Sequence, residues 1–142
     1  MDLKKARQKL SSGNYTCVLC HDESIYTSTQ RGVAPLLDLI DSGVDVTGFS
    51  AADKVVGKAT ALLYLYLGVT ALYAQVISAP AVEILSCIRL EYDWQVPFIR
   101  NRDGTGCCPM ELAAENIDDP QQILSAVRCA LKKQRSNQHD TL

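Results

Sequence analysis

The sequence predicts an α/β protein, a three-layer α/β/α sandwich on a mixed sheet. Three observations predict it. After an opening helix and a hairpin pattern, strand-like and helix-like segments alternate, which favours layered packing with some parallel pairing. Residues 69–77 are a nearly continuous run of β-formers, as expected of a strand covered on both faces. The chain has 142 residues, 47% hydrophobic and 21% charged. That is long enough to bury a core without metal or disulfide staples, and too apolar for disorder.

Residues 2–11 place Leu3, Ala6 and Leu10 on one face and Lys and Arg on the other, an amphipathic helix closed by Gly13-Asn14. Residues 15–21 alternate as a strand, His21-Asp22-Glu23-Ser24 is a turn, and residues 25–28 are the hairpin partner. Residues 33–41 form a second helix, with Pro35 in its first turn and Gly43 beyond its end. Residues 46–49 are a short strand. Residues 52–67 are the central helix, with Ser50-x-x-Asp53 at its start in a capping-box arrangement. The strand 69–77 follows, then a short helix over 80–87 and a strand over 88–92. Residues 101–107 are a Gly-containing loop and residues 109–116 a helix. Asp119-Pro120 opens the last helix, with Gln122 at the capping-box position and Ile123, Leu124, Val127 and Leu131 facing inward. Arg128, Lys132 and Lys133 suit its C-terminal dipole. There is no repeat and no linker, so residues 1–135 read as one domain and residues 136–142 as a polar tail.

Fourteen basic residues face sixteen acidic ones, a net charge of −2. Such a balance argues against nucleic acid as a partner, because phosphate contacts need a basic surface. Residues 1–13 are charged and hold no apolar leader core, so a reducing cytoplasm is the expected location. Residues 59–82 carry no charge and are long enough to span a bilayer. Gly68, Gln75, Ser78 and Pro80 interrupt them, and their character shifts from helix-forming to strand-forming, so helix, turn and strand is the reading and no membrane is expected.

The six cysteines are read by position. Cys17 and Cys20 have C-x-x-C spacing, but on a strand they point to opposite faces, which defeats both a zinc knuckle and a redox pair. Cys87 and Cys129 read as packing residues. Adjacent Cys107 and Cys108 fit disulfide geometry poorly. Cys108 precedes Pro109 at a helix start, where a thiolate is favoured; burial of a small apolar thiol is the alternative. His21 at a hairpin turn and His139 in the tail build no convincing metal or catalytic centre.

Three segments carry a resemblance. They are Ser28-Thr29-Gln30-Arg31-Gly32-Val33-Ala34-Pro35-Leu36-Leu37, Ala52-Asp53-Lys54-Val55-Val56-Gly57-Lys58-Ala59, and Asn101-Arg102-Asp103-Gly104-Thr105-Gly106-Cys107-Cys108-Pro109-Met110-Glu111. The chain is similar, over roughly residues 15–131, to a small bacterial family of uncharacterised proteins with a cytidine-deaminase-like fold. Deaminases of that fold hold zinc with a His or Cys two residues before a Glu, and with Pro-Cys-x-x-Cys. The resemblance would put the first ligand at Ala51 with Asp53 as the acid, and the others at Ala81 and Ile84. Aliphatic residues fill all three ligand positions, so no metal and no other cofactor is expected.

The candidate site residues follow. Asp53 is either a helix cap or a catalytic group at the pocket position that the resemblance implies. Lys54 and Lys58, one helical turn apart, could hold an anion together with the amides of the helix start; a solvated pair is the alternative. Asn101, Arg102, Asp103, Gly104 and Gly106 could form an amide-rich anion nest with a guanidinium clamp; an ordinary turn is the alternative. The preferred function is binding of a small anionic or nucleotide-like ligand between these elements. One alternative is a metal-free enzyme with Cys108 as the nucleophile and Asp53 or a lysine assisting. Another is an interaction protein, a homodimer formed through Trp94, Phe98 and Ile99.

Overall fold

A computed structural model describes residues 2–99 and 109–140, with side chains as far as residue 133. The elements run α1 (Asp2–Ser12), β1 (Cys17–His21), β2 (Ser24–Ser28), α2 (Ala34–Ser42), β3 (Ser50–Val56), α3 (Lys58–Leu67), β4 (Ala71–Ser78), α4 (Ala79–Ile84), β5 (Arg89–Val96), α5 (Pro109–Ala114) and α6 (Pro120–Asp140). A single turn of 3₁₀ helix, Leu85–Cys87, joins α4 to β5. The five strands make one mixed sheet in the order β2-β1-β3-β4-β5. β1 runs antiparallel to both β2 and β3, while β3, β4 and β5 are parallel. The α/β class expected from alternation is what forms.

Strand periodicity sorts side chains into two layers. Cys17, Leu19, Ala51, Leu72 and Ala74 face a large core shared with α2 to α6. Val18, Cys20, Ala52, Ala71 and Tyr73 face a smaller one shared with Leu3, Ala6 and Leu10 of α1. Thus, among the described residues, α1 is the one helix that covers this face. Cys17 and Cys20 do diverge across the sheet, as the strand reading required.

α3 is buried along its whole first two turns, residues 58 to 64. A helix enclosed on all sides reads apolar all round, which explains the first part of the uncharged stretch at 59–82. Gly68 closes α3 in the left-handed region, at φ 83. Glycine reaches that region without steric cost. The helix, turn and strand reading of residues 59–82 therefore stands. Among the described residues no helix is long and apolar enough to cross a membrane.

Three expectations change. The central helix does not begin near Ala52: residues 50 to 56 are β3, and Gly57, extended at φ −95 and ψ −178, is the N-cap of α3. Ala51 and Ala52 are good helix formers, but pairing with β1 and β4 overrides that weak local preference. The short strand at 46–49 is a turn, with Asp45 Oδ1 accepting the Thr47 N–H at 3.0 Å and Gly48 at φ 84. The final helix continues through Asp140, past the expected start of the tail at residue 136.

Candidate functional site

The parallel strands β3 and β4 end beside two helix openings, at Gly57-Lys58 and at Ser78-Ala79. This side of an open parallel sheet is where ligands are usually received. At the first opening Glu111 reaches over from α5. Its Oε1 accepts the Lys58 backbone N–H at 2.7 Å. Met110 and Ala114 anchor α5 in the core, which leaves the adjacent Glu111 directed at α3. A carboxylate against the first amides of a helix is favoured by both the unpaired N–H groups and the helix dipole.

The fit depends on Gly57. A Cβ there would lie 1.7 Å from Glu111 Oε1 and 2.9 Å from its carboxyl carbon. The absent side chain is the space the carboxylate occupies. Burial pushes the Glu111 pKa up, opposed by the Lys58 N–H and by the Lys58 charge.

Lys58 is itself buried, at 8% exposure. Its Nζ donates to the Glu115 carbonyl at 3.1 Å and pairs with Asp118 Oδ1 at 3.0 Å. The predicted cation at a helix start is present, but α5 and the turn after it satisfy the charge. Lys58→Met should cost about 1 kcal/mol, the net worth of a partly buried charged hydrogen bond. Urea unfolding checks this, and an unchanged midpoint would show that the ammonium contributes nothing.

Asp53 lies elsewhere than the sequence reading placed it. It sits inside β3, opposite Cys17 of β1 and Ala74 of β4, so it caps no helix. Its Oδ2 accepts from Tyr64 Oη at 2.6 Å, and Oδ1 accepts the Val55 N–H at 3.2 Å. Tyr64 Oη also lies 3.2 Å from Cys17 Sγ. The Tyr64 hydroxyl thus links Asp53 and Cys17 between α3 and the sheet. Burial, ahead of the opposing hydrogen bonds from Tyr64, Val55 and Lys54, raises the Asp53 carboxyl to about 7. Burial, and then the neighbouring Asp53, push the Cys17 thiol well up. Such a thiol is inert. A buried carboxyl with both oxygens engaged by its own fold is a structural group.

Lys54 is exposed on the same strand, with its backbone N–H given to the Thr16 carbonyl at 3.1 Å. Since Lys54 is on β3 and Lys58 on α3, they are not a helical pair. The zinc positions move as well. Ala51 lies within β3, so a helix-start comparison at Ala51 and Asp53 fails on geometry. The actual openings hold Gly57, Lys58 and Ala59, and Ala79, Pro80 and Ala81, with neither thiol nor imidazole. Among the described residues no group of three or more His, Cys, Asp and Glu side chains could hold a metal.

Cys87 and Cys129, expected in the core, are exposed. Cys87 closes the 3₁₀ turn, and Cys129 lies off the α6 face that buries Ile123 and Val127. Asn101, Arg102, Asp103, Gly104, Gly106 and Cys108 lie outside the described residues. The sequence reading missed Gly57, Tyr64, Glu111 and Asp118. Gly57 before an apolar helical run was the available signal; the partners of the others are distant in sequence.

Fold and site together define an α/β domain whose sheet end presents a helix N-terminus already holding an internal carboxylate. The comparisons give a family and a similar structure, and add no activity. The domain of unknown function DUF1893 (TM1506) matches residues 5–131, and the chain belongs to that family. A crystal structure of a DUF1893 family protein (TM1506) from Thermotoga maritima is similar, at 29% identity and a TM-score of 0.78, covering 93% of this chain and 89% of that one. No curated protein matches the chain.

Proposed function

We propose that this protein binds a small anionic, nucleotide-like ligand at the N-terminus of α3, where the ligand exchanges with Glu111. One observation carries the reading: the Gly57 cradle already holds an anionic group, with Glu111 Oε1 2.7 Å from the Lys58 N–H. A phosphate asks for the same features, namely exposed helix amides and close backbone approach. The position beside the ends of parallel strands supports it. The raised Glu111 pKa makes the internal carboxylate easier to neutralise and withdraw. Asn101, Arg102, Asp103, Gly104 and Gly106, just before α5, enter the proposal on their sequence alone, as further anion donors. The nucleotide preference rests on reading the hairpin-then-alternation order as a deaminase-like fold without zinc, an argument by analogy.

Thermal shift of wild type and Glu111→Ala with inorganic phosphate and nucleoside mono- and diphosphates tests this. Glu111→Ala empties the cradle and should gain several degrees at a ligand concentration about a hundredfold above Kd, since binding the native state alone then adds about 2.7 kcal/mol. Wild type should gain less. If neither protein responds to any of these anions, the reading fails and Glu111 serves only to dock α5.

A further inference from the structure

We propose that the outer edge of β5 is a homodimer interface, on which a second copy of this chain lays its own β5 antiparallel to continue the sheet. The two edges of the sheet are unlike. β2 has five residues, Ser24–Ser28, three of them Ser or Thr. β5 has eight, Arg89–Val96, with no Lys and no Pro. Edge strands in monomers are normally kept short or guarded by charged side chains, Lys above all, by Pro or by a bulge, because their free N–H and C=O groups recruit other strands; the charges of β5, Arg89, Glu91 and Asp93, include both signs and so can pair across a two-fold. Among the described residues β5 pairs only with β4. It also exposes Tyr92 at 41% and Trp94 at 62%.

The alternation of β5 favours a second copy over an unrelated strand. Glu91 and Asp93 lie on the α1 side, each beside Arg7 of α1, at 3.6 and 3.7 Å. Arg89, two residues before Glu91, shares that side, and Leu90, Tyr92 and Trp94 take the other. Like faces meet in an antiparallel pair only when the two-fold passes through a residue rather than between two. Centred on Glu91, the pair sets Arg89 against Asp93 of the second copy, and does so twice. The apolar side then sets Leu90 against Tyr92 and Ile88 against Trp94 of the second copy. Aromatic–aliphatic and opposite-charge pairs of this kind stabilise antiparallel strands. The one like pair, Glu91 with its mate on the axis, has Arg7 and Arg89 beside each carboxylate. Centring on Tyr92 instead would set Glu91 against Asp93 twice, which is unfavourable. A groove of about 800 Å³ between α1 and β5, lined by Lys4, Arg7, Gln8, Arg89 and Glu91, would have the second copy's α1 across from it.

Light scattering of the full chain over a concentration series tests the proposal. Wild type should reach twice the chain mass. Trp94→Lys, a change at an exposed position, should weaken the dimer at least tenfold without unfolding the chain, and so should Arg89→Asp. Thr27→Lys on the β2 edge should leave the mass unchanged. A wild-type monomer throughout, or a dimer unaffected by both Trp94→Lys and Arg89→Asp, overturns the proposal. Weakening by Trp94→Lys alone supports the edge and overturns the Glu91-centred register.

Discussion

Stability should fall as the pH rises from about 4 towards 7. Asp53 keeps its proton to about pH 7 in the native state, because burial penalises the carboxylate, against 3.8 for an open aspartate. Between those values the native protein binds more protons than the unfolded chain. The stabilisation from the neutral carboxyl is therefore fully present below the lower value and gone above the upper. The difference is on the order of 4 kcal/mol. Asp53→Asn, which keeps the shape without the charge, should remove the Asp53 share of that slope and leave the share of Glu111, whose pKa is also raised by burial. Tyr64→Phe removes the 2.6 Å donor to Asp53, and should cost about 1–3 kcal/mol, the desolvation penalty of an unsatisfied buried acceptor. Its cost should grow with pH, because the ionised carboxylate needs that donor most. Urea unfolding of the three proteins across the window reads all of this. Parallel pH profiles for wild type and Asp53→Asn would show that Asp53 does not carry the dependence.

Gly57→Val should destabilise the protein by about 1–3 kcal/mol, as an overpacked contact does. Backbone conformation is not the reason, since φ at Gly57 is −95 and open to any residue. The clash is with the carboxylate, which a Cβ would meet at 1.7 Å. Glu111 must leave the α3 amides, and α5 keeps only the ties that Lys58 Nζ makes just past its end, to the Glu115 carbonyl and Asp118. The pair should accordingly be non-additive: Gly57→Val in a Glu111→Ala background should cost much less than in wild type, because the group it collides with has gone. Equal costs in both backgrounds would place the strain elsewhere. The same substitution should abolish any anion-induced stabilisation of Glu111→Ala.

Elements whose neighbours are near in sequence were legible. The hairpin, α2 with Pro35 and its closing Gly43, the α3–β4 junction at Gly68, and the start of α6 at Asp119-Pro120 all carry local punctuation. The start of α3 was not legible. Ser50-x-x-Asp53 imitates a cap, while the groups that make residues 50–56 a strand are on β1 and β4. The site follows the same rule. Lys58 was a candidate on a helix expected to begin at residue 52, so its place as the first residue of α3 was not readable. Nor was what it does, because Glu111 is 53 positions away. Tyr64 read as one more apolar helix residue; only the approach of Asp53, 11 positions before it, and Cys17, 47 before, gives its hydroxyl a role.

β1 is a short strand with an unusual consequence. It carries one thiol into each layer, Cys17 beneath α3 and Cys20 beneath α1. The layers differ greatly in extent, and smaller cooperative units tend to open at lower free energy. Release of α1 alone would bare Cys20 and leave Cys17 sealed, whereas loosening of the helical bundle would do the reverse. One strand thus gives two separate chemical clocks, each timing the breathing of a different half of the molecule.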